Sequence, residues 1–178
     1  MRLTVEELNG LSRERFASLL GRIFEHSPWV AEQAWEERPF RSPQHLHETM
    51  VRKVRSASPE AILALFRAHP DLAARISMTA DSVKEQRSAG LDRLSPEEYG
   101  RFEELNKAYT QKFGFPFIMA VSGKTKEEIA QAMDARIANE PSAEWRRALE
   151  EISRIAEIRL ASLFDSHLPT ERKDEMSC

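Results

Sequence analysis

Hydrophobic residues in this chain recur at steps of three and four, the spacing that gathers them on one face of a helix. Phe16, Leu19, Leu20, Ile23 and Phe24 form one such stripe, Leu46, Met50 and Val54 a second, and Ile62, Leu65 and Phe66 a third. Tyr99, Phe102, Leu105, Tyr109 and Phe113 mark a long helix from Ser95 to about Phe113. Trp145, Leu149, Ile152, Ala156 and Leu163 mark another from Ser142 to about Phe164. Polar caps punctuate the stripes. Thr4-x-x-Glu7, Ser12, Ser42-Pro43, Ser58-Pro59, Ser95-Pro96-Glu97-Glu98, Thr125-x-x-Glu128 and Ser142 read as N-caps, several with proline at the first helical position or a glutamate three residues on. They predict helices over 4–10 and 12–25, and Pro28 sets off a short one through Trp35. Period-two alternation is nearly absent, as are Asn-Gly and Asp-Gly turns. The prediction is an all-α fold: a single-domain bundle of about eight to ten helices over residues 1–165, then a flexible polar tail over 166–178.

Composition narrows the function classes. With 178 residues, 41% hydrophobic and 31% charged, the chain can bury a core without metal or disulfide support. A net charge of −3 with both signs interspersed offers no basic face for nucleic acid. The longest apolar run, Phe115 to Val121, contains Pro116 and is too short to span a bilayer. The N-terminus has no signal-like apolar region, and the single cysteine, Cys178, cannot form an internal disulfide. A cytoplasmic protein is expected.

Several polar residues fall where apolar ones are due. His69 follows the apolar face of its helix and precedes Pro70, which pushes it into extended backbone. It is either a core histidine bonded to a nearby carbonyl or an acid–base group. Ser82, Glu85, Gln86 and Ala89 share one helical face, although Ser82-x-x-Glu85 also reads as a capping box. Gly90 closes that short helix. Asn106, inside an apolar stripe, reads as a structural cross-link more than a pocket wall. Pro116 leaves the N–H groups of Phe117 and Ile118 without helical partners, to be met by a ligand or by turn bonding. Arg159 is the one charge expected on the apolar face of the last helix, with Glu151 and its charged neighbours pointing elsewhere. It is either a strut paired with a carboxylate or a holder of an anionic oxygen. His45 and His47 are too far apart in angle on a helix to share a metal, and read as a solvated face; His26 reads as a loop or cap residue.

In order along the chain come Phe24-Glu25-His26-Ser27-Pro28-Trp29-Val30, Arg38-Pro39-Phe40 and His69-Pro70-Asp71-Leu72-Ala73. Then follow Glu85-Gln86-Arg87-Ser88-Ala89-Gly90-Leu91, Lys112-Phe113-Gly114-Phe115-Pro116-Phe117-Ile118 and Ile155-Ala156-Glu157-Ile158-Arg159-Leu160. Together these resemble the OHCU decarboxylase family (2-oxo-4-hydroxy-4-carboxy-5-ureidoimidazoline decarboxylase) of urate degradation, over roughly residues 3–165. The resemblance implies an all-helical, cofactor-free homodimer, with no metal, that forms (S)-allantoin and CO2 from OHCU. It also implies a functional or covalent association with urate oxidase. It places catalytic roles on His69, Glu85 and Arg159, and substrate contacts on Pro70, Ser82, Gln86, Phe117 and Ile118. Where the family usually has glycine after His-Pro-Asp-Leu-Ala, this chain has Ala74. Two other classes stay open: a non-catalytic helical binding module, and a related helical enzyme acting on another ureido acid.

Overall fold

The computed structural model describes residues 2–74 and 78–164. The polar tail expected over 166–178, Cys178 included, lies outside the described residues. The helices are α1 (Val5–Asn9), α2 (Arg13–Leu20), α3 (Trp29–Trp35), α4 (Pro43–Arg55), α5 (Pro59–Ala68), α6 (Ala80–Ser88), α7 (Pro96–Phe113), α8 (Lys126–Ile137) and α9 (Pro141–Leu163). Among the described residues the only β pairing is an isolated bridge between Leu3 and Phe164, which ties α1 to the end of α9. The all-α expectation holds. No helix among the described residues is long and apolar enough to cross a membrane.

Most caps form where the sequence put them. Thr4, Ser12, Ser42, Ser58, Ser95 and Thr125 each accept a hydrogen bond from an amide of the first turn, which satisfies a donor the helix itself cannot. Three boundaries differ. α9 starts at Pro141 with Glu140 as its cap residue, not at Ser142, because proline's fixed φ already suits the first helical position. α6 is capped by Thr79, so Ser82 sits one turn inside it, buried. α2 stops at Leu20 rather than reaching residue 25, and the chain then turns through 21–27 with Phe24 and Glu25 both buried.

α3 packs between α2 and α4, α4 lies along α9, and α7 pairs with α8. Phe16, Leu20, Val30, Met50, Leu65, Phe66, Ile129, Met133, Ala156 and Leu160 are all at most 1% exposed. Each large side chain buried this way contributes roughly 1.5–3 kcal/mol. An aromatic cluster, with Phe66 4.8 Å from both Phe115 and Trp145, fixes the loop after α7 against α5 and α9. Gly114 ends α7 in the left-handed region at φ 80°, and its carbonyl accepts a bond from Arg67 Nε at 3.0 Å.

The buried arc of α9 is wider than its apolar stripe, because other segments enclose the helix on more than one side. Arg159 is therefore not its only buried charge: Glu144 and Glu151 are buried too. Glu151 receives the Ala120 amide at 3.1 Å, while Arg147 and Arg154 pair with it from the solvent side. His45 and His47 are half-buried rather than solvated. His45 Nδ1 accepts from the Arg41 amide, and His47 Nε2 meets the Ser153 carbonyl at 2.8 Å.

Candidate active site

Proline chemistry sets the first side chain. The residue before Pro70 cannot stay helical, so His69 leaves α5 at φ −75° and ψ 138°. The turn that follows carries Ala73 at φ 59°, a left-handed residue held by its N–H donating to Gln86 Oε1 at 2.9 Å. Ala74 is not in that region, so the turn needs no glycine there. Asn106 donates to the Leu72 carbonyl at 2.7 Å, the structural cross-link expected of it.

His69, Pro70, Ser82, Glu85, Gln86, Phe117, Ile118 and Arg159, drawn from α5, α6, α9 and the loop after α7, line one cavity of about 30 Å³. Glu85 and Arg159 also face a vestibule of about 550 Å³ that Arg22, Lys84, Ser122 and Ser162 help to line. A separate cavity of about 530 Å³ opens on the α7 side of Asp71–Ala74 and contains none of the eight. The inner cavity is polar at Ser82, Glu85, Gln86 and Arg159 and apolar at Leu72, Val121 and Ile155.

Hydrogen bonding assigns the state of His69. Its Nδ1 lies 2.9 Å from the Leu65 carbonyl, which can only accept, so Nδ1 carries the hydrogen and a neutral ring has its lone pair at Nε2. The carbonyl bond expected of a core histidine is present, and the same ring also lines the cavity. Burial lowers its pKa to about 4, helped by the Arg159 charge and opposed by the Leu65 carbonyl and Glu25.

Arg159 has all five N–H groups engaged. Nε and one Nη reach Glu85 at 2.8 and 3.2 Å, and that Nη also lies 3.4 Å from Ser82 Oγ. The other Nη reaches Glu25 at 2.9 Å and the Arg22 carbonyl at 3.2 Å. Burial works against this cation, but the bonds and charge of Glu85 and the charge of Glu25 outweigh it and raise its pKa. Burial likewise works against Glu25, and the charge of Arg159 with the bond from Thr79 holds that carboxyl below its usual range.

Ser82 is not a cap. Its hydroxyl donates to Glu25 at 3.2 Å, inside a cluster with Thr79 and Arg159. Gln86 lines the cavity, but its carboxamide is bonded to the Ala73 amide, with a long contact to the Asp71 carbonyl. The Ile118 carbonyl is held by Arg136 Nη1 at 2.8 Å, while among the described residues the Phe117 and Ile118 amides meet no acceptor. Sequence reasoning gave no role to Glu25 or Thr79. The available signal was a carboxylate placed directly after the apolar pair Ile23-Phe24.

A family model for OHCU decarboxylase matches residues 9–161. The chain is 49% identical over 162 residues to a 2-oxo-4-hydroxy-4-carboxy-5-ureidoimidazoline decarboxylase of Halalkalicoccus jeotgali, covering 91% of this chain and 92% of that one. It is 44% identical to the uric acid degradation bifunctional protein PucL of Bacillus subtilis, over 98% of this chain and 35% of that one. Its fold is similar to a crystal structure of OHCU decarboxylase in the presence of (S)-allantoin, with a TM-score of 0.69 at 27% identity, covering 88% of this chain and 100% of that chain.

Proposed function

The chain belongs to the OHCU decarboxylase family, and on that premise we propose that it converts OHCU into (S)-allantoin and CO2 at the cavity around His69. The observation that carries this reading is the convergence on one cavity of a histidine with a free Nε2, a carboxylate and a guanidinium. The substrate carries its carboxylate and hydroxyl on a ring carbon beside a C=N bond. When the carbon–carboxylate bond breaks, its electron pair moves into that C=N, so the substrate is its own electron sink and needs no cofactor. A proton from solvent completes the ring nitrogen.

His69 Nε2 takes the hydroxyl proton as C=O forms and returns it to the neighbouring ring carbon that bears the ureido group. Return from one face sets the (S) configuration. The lowered pKa makes neutral His69 essentially the sole resting form at pH 7, where an unshifted histidine would still be about one-quarter protonated. Glu85 orients the ureido N–H groups, and Arg159 stabilises oxyanion charge as CO2 leaves. Pro70, Ser82, Gln86 and the amides of Phe117 and Ile118 complete the substrate contacts. The inner cavity alone is too small for the substrate, which enters through the vestibule that shares Glu85 and Arg159. On this reading the protein works in the cytoplasm as a homodimer, with functional or covalent association with urate oxidase as part of the same reading; that a relative is a bifunctional uric acid degradation protein supports such a link.

The test is circular dichroism of allantoin formed from freshly generated OHCU. The wild type is expected to accumulate (S)-allantoin, and His69→Ala to be slower by about 10²- to 10⁴-fold, the usual cost of losing a general acid–base group. Racemic product at the uncatalysed rate from the wild type would reject the activity.

A further inference from the structure

The turn between α2 and α3 buries Glu25, which is 2% exposed. α2 stops at Leu20, His26 adopts φ 45°, and Ser27 Oγ donates back to the Glu25 carbonyl at 2.9 Å. The carboxylate is turned inward, where Thr79 Oγ1 donates to it at 2.8 Å, Ser82 at 3.2 Å and Arg159 at 2.9 Å.

The guanidinium presents a supply problem. All five of its N–H groups are taken, so none is free for a substrate oxygen until a protein contact is given up. The two carboxylates are not equivalent candidates for release. The Glu85 side chain is 18% exposed and faces both the inner cavity and the vestibule, whereas the Glu25 side chain is 1% exposed and lines neither. Release of Glu85 alone would strand a buried guanidinium that cannot shed its proton, a costly state unless a second anion stays in place.

We infer that Glu25 is a positioning residue of this site: it is the permanent counter-ion of Arg159, and it frees Glu85 and the Ser82 side of the guanidinium to turn to the substrate. Its charge also favours the protonated form of His69, the form that returns the proton. The role rests on the decarboxylase reading of the site. It gives a role to Glu25 within the Phe24-to-Val30 stretch, whose turn at His26 and Ser27 aims this carboxylate inward.

Steady-state formation of (S)-allantoin is measured for wild type, Glu25→Gln, Glu85→Gln and the double variant, with far-UV dichroism as the check on folding. In Glu25→Gln, Glu85 becomes the sole counter-ion of Arg159 and is withheld from the substrate. The expected result is a kcat lower by about 10- to 100-fold, the range for partners that orient a reacting group. The double variant leaves the guanidinium with no carboxylate beside it and should depart from the product of the two single losses, because both act through one guanidinium. Wild-type kinetics in Glu25→Gln, or losses that simply multiply in the double variant, would overturn the role. If Glu25→Gln does not fold, Glu25→Asp is read instead; its shorter reach should also lower kcat, and a wild-type value rejects the role. An inactive wild type would remove the decarboxylase reading and this role with it, while an active wild type beside an unaffected Glu25 variant removes this role alone.

Discussion

At His69 the Leu65 carbonyl holds Nδ1–H, which leaves Nε2 as the proton acceptor of a ring that burial keeps neutral. The base form then persists well below the ordinary histidine range, down to about pH 4. The acid limb of kcat/KM is expected near pH 4, and a limb at pH 6–7 that vanishes in His69→Gln would contradict the burial account. Gln86 is a second residue with a double commitment. Gln86→Leu should cost about 1–3 kcal/mol in urea unfolding, because the Ala73 amide loses its acceptor inside the protein. Of the candidate site residues, His69 and Arg159 were legible in the sequence as polar groups on apolar faces, and Ser82, Glu85 and Gln86 as one polar helical face. Glu25 was not, since its inward aim depends on the left-handed His26 and on partners 54 to 134 residues away.

Between elements, the decisive cross-tie joins α8 to α9. Arg136 reaches buried Glu144 at 2.9 Å, donates to the Ile118 carbonyl and lies 4.3 Å from the Phe117 ring centroid. Tyr109 of α7 completes the group through its hydroxyl bond to Glu144. A structural ion pair thereby sets the position of a loop that lines the site. Arg136→Met should lose about 3–5 kcal/mol by equilibrium unfolding, since Glu144 is left buried without its cation. It should also lower kcat in the fraction that remains folded, because the Ile118 carbonyl is released; an unchanged kcat would show that the loop is held by its aromatic packing alone. Helix existence was legible because caps and stripes are local signals. The charges on the buried face of α9 were not, because a single stripe does not reveal how many neighbours will enclose a long helix.

For the whole molecule, the buried titratable groups tie stability to pH in one dominant direction. His69 is depressed from 6.5 to about 4, so between those values the unfolded chain binds a proton that the folded one refuses. Its contribution is complete above pH 6.5 and is lost as pH falls toward 4. Glu25 and Glu144, also depressed, add losses that begin below the ordinary glutamate value and continue as each protonates in the folded state. Asp71 runs the other way: burial raises its pKa, so the folded chain takes its proton first and gains a little on acidification. One half-buried aspartate does not offset the other three. The melting temperature should therefore fall steadily from pH 7 to pH 4, with its first decline set by His69. Calorimetry of wild type and His69→Gln across that range separates the contributions. The variant should be flatter between pH 6.5 and 5 and steepen only where the carboxylates titrate; parallel curves would show that His69 is not held neutral by the fold.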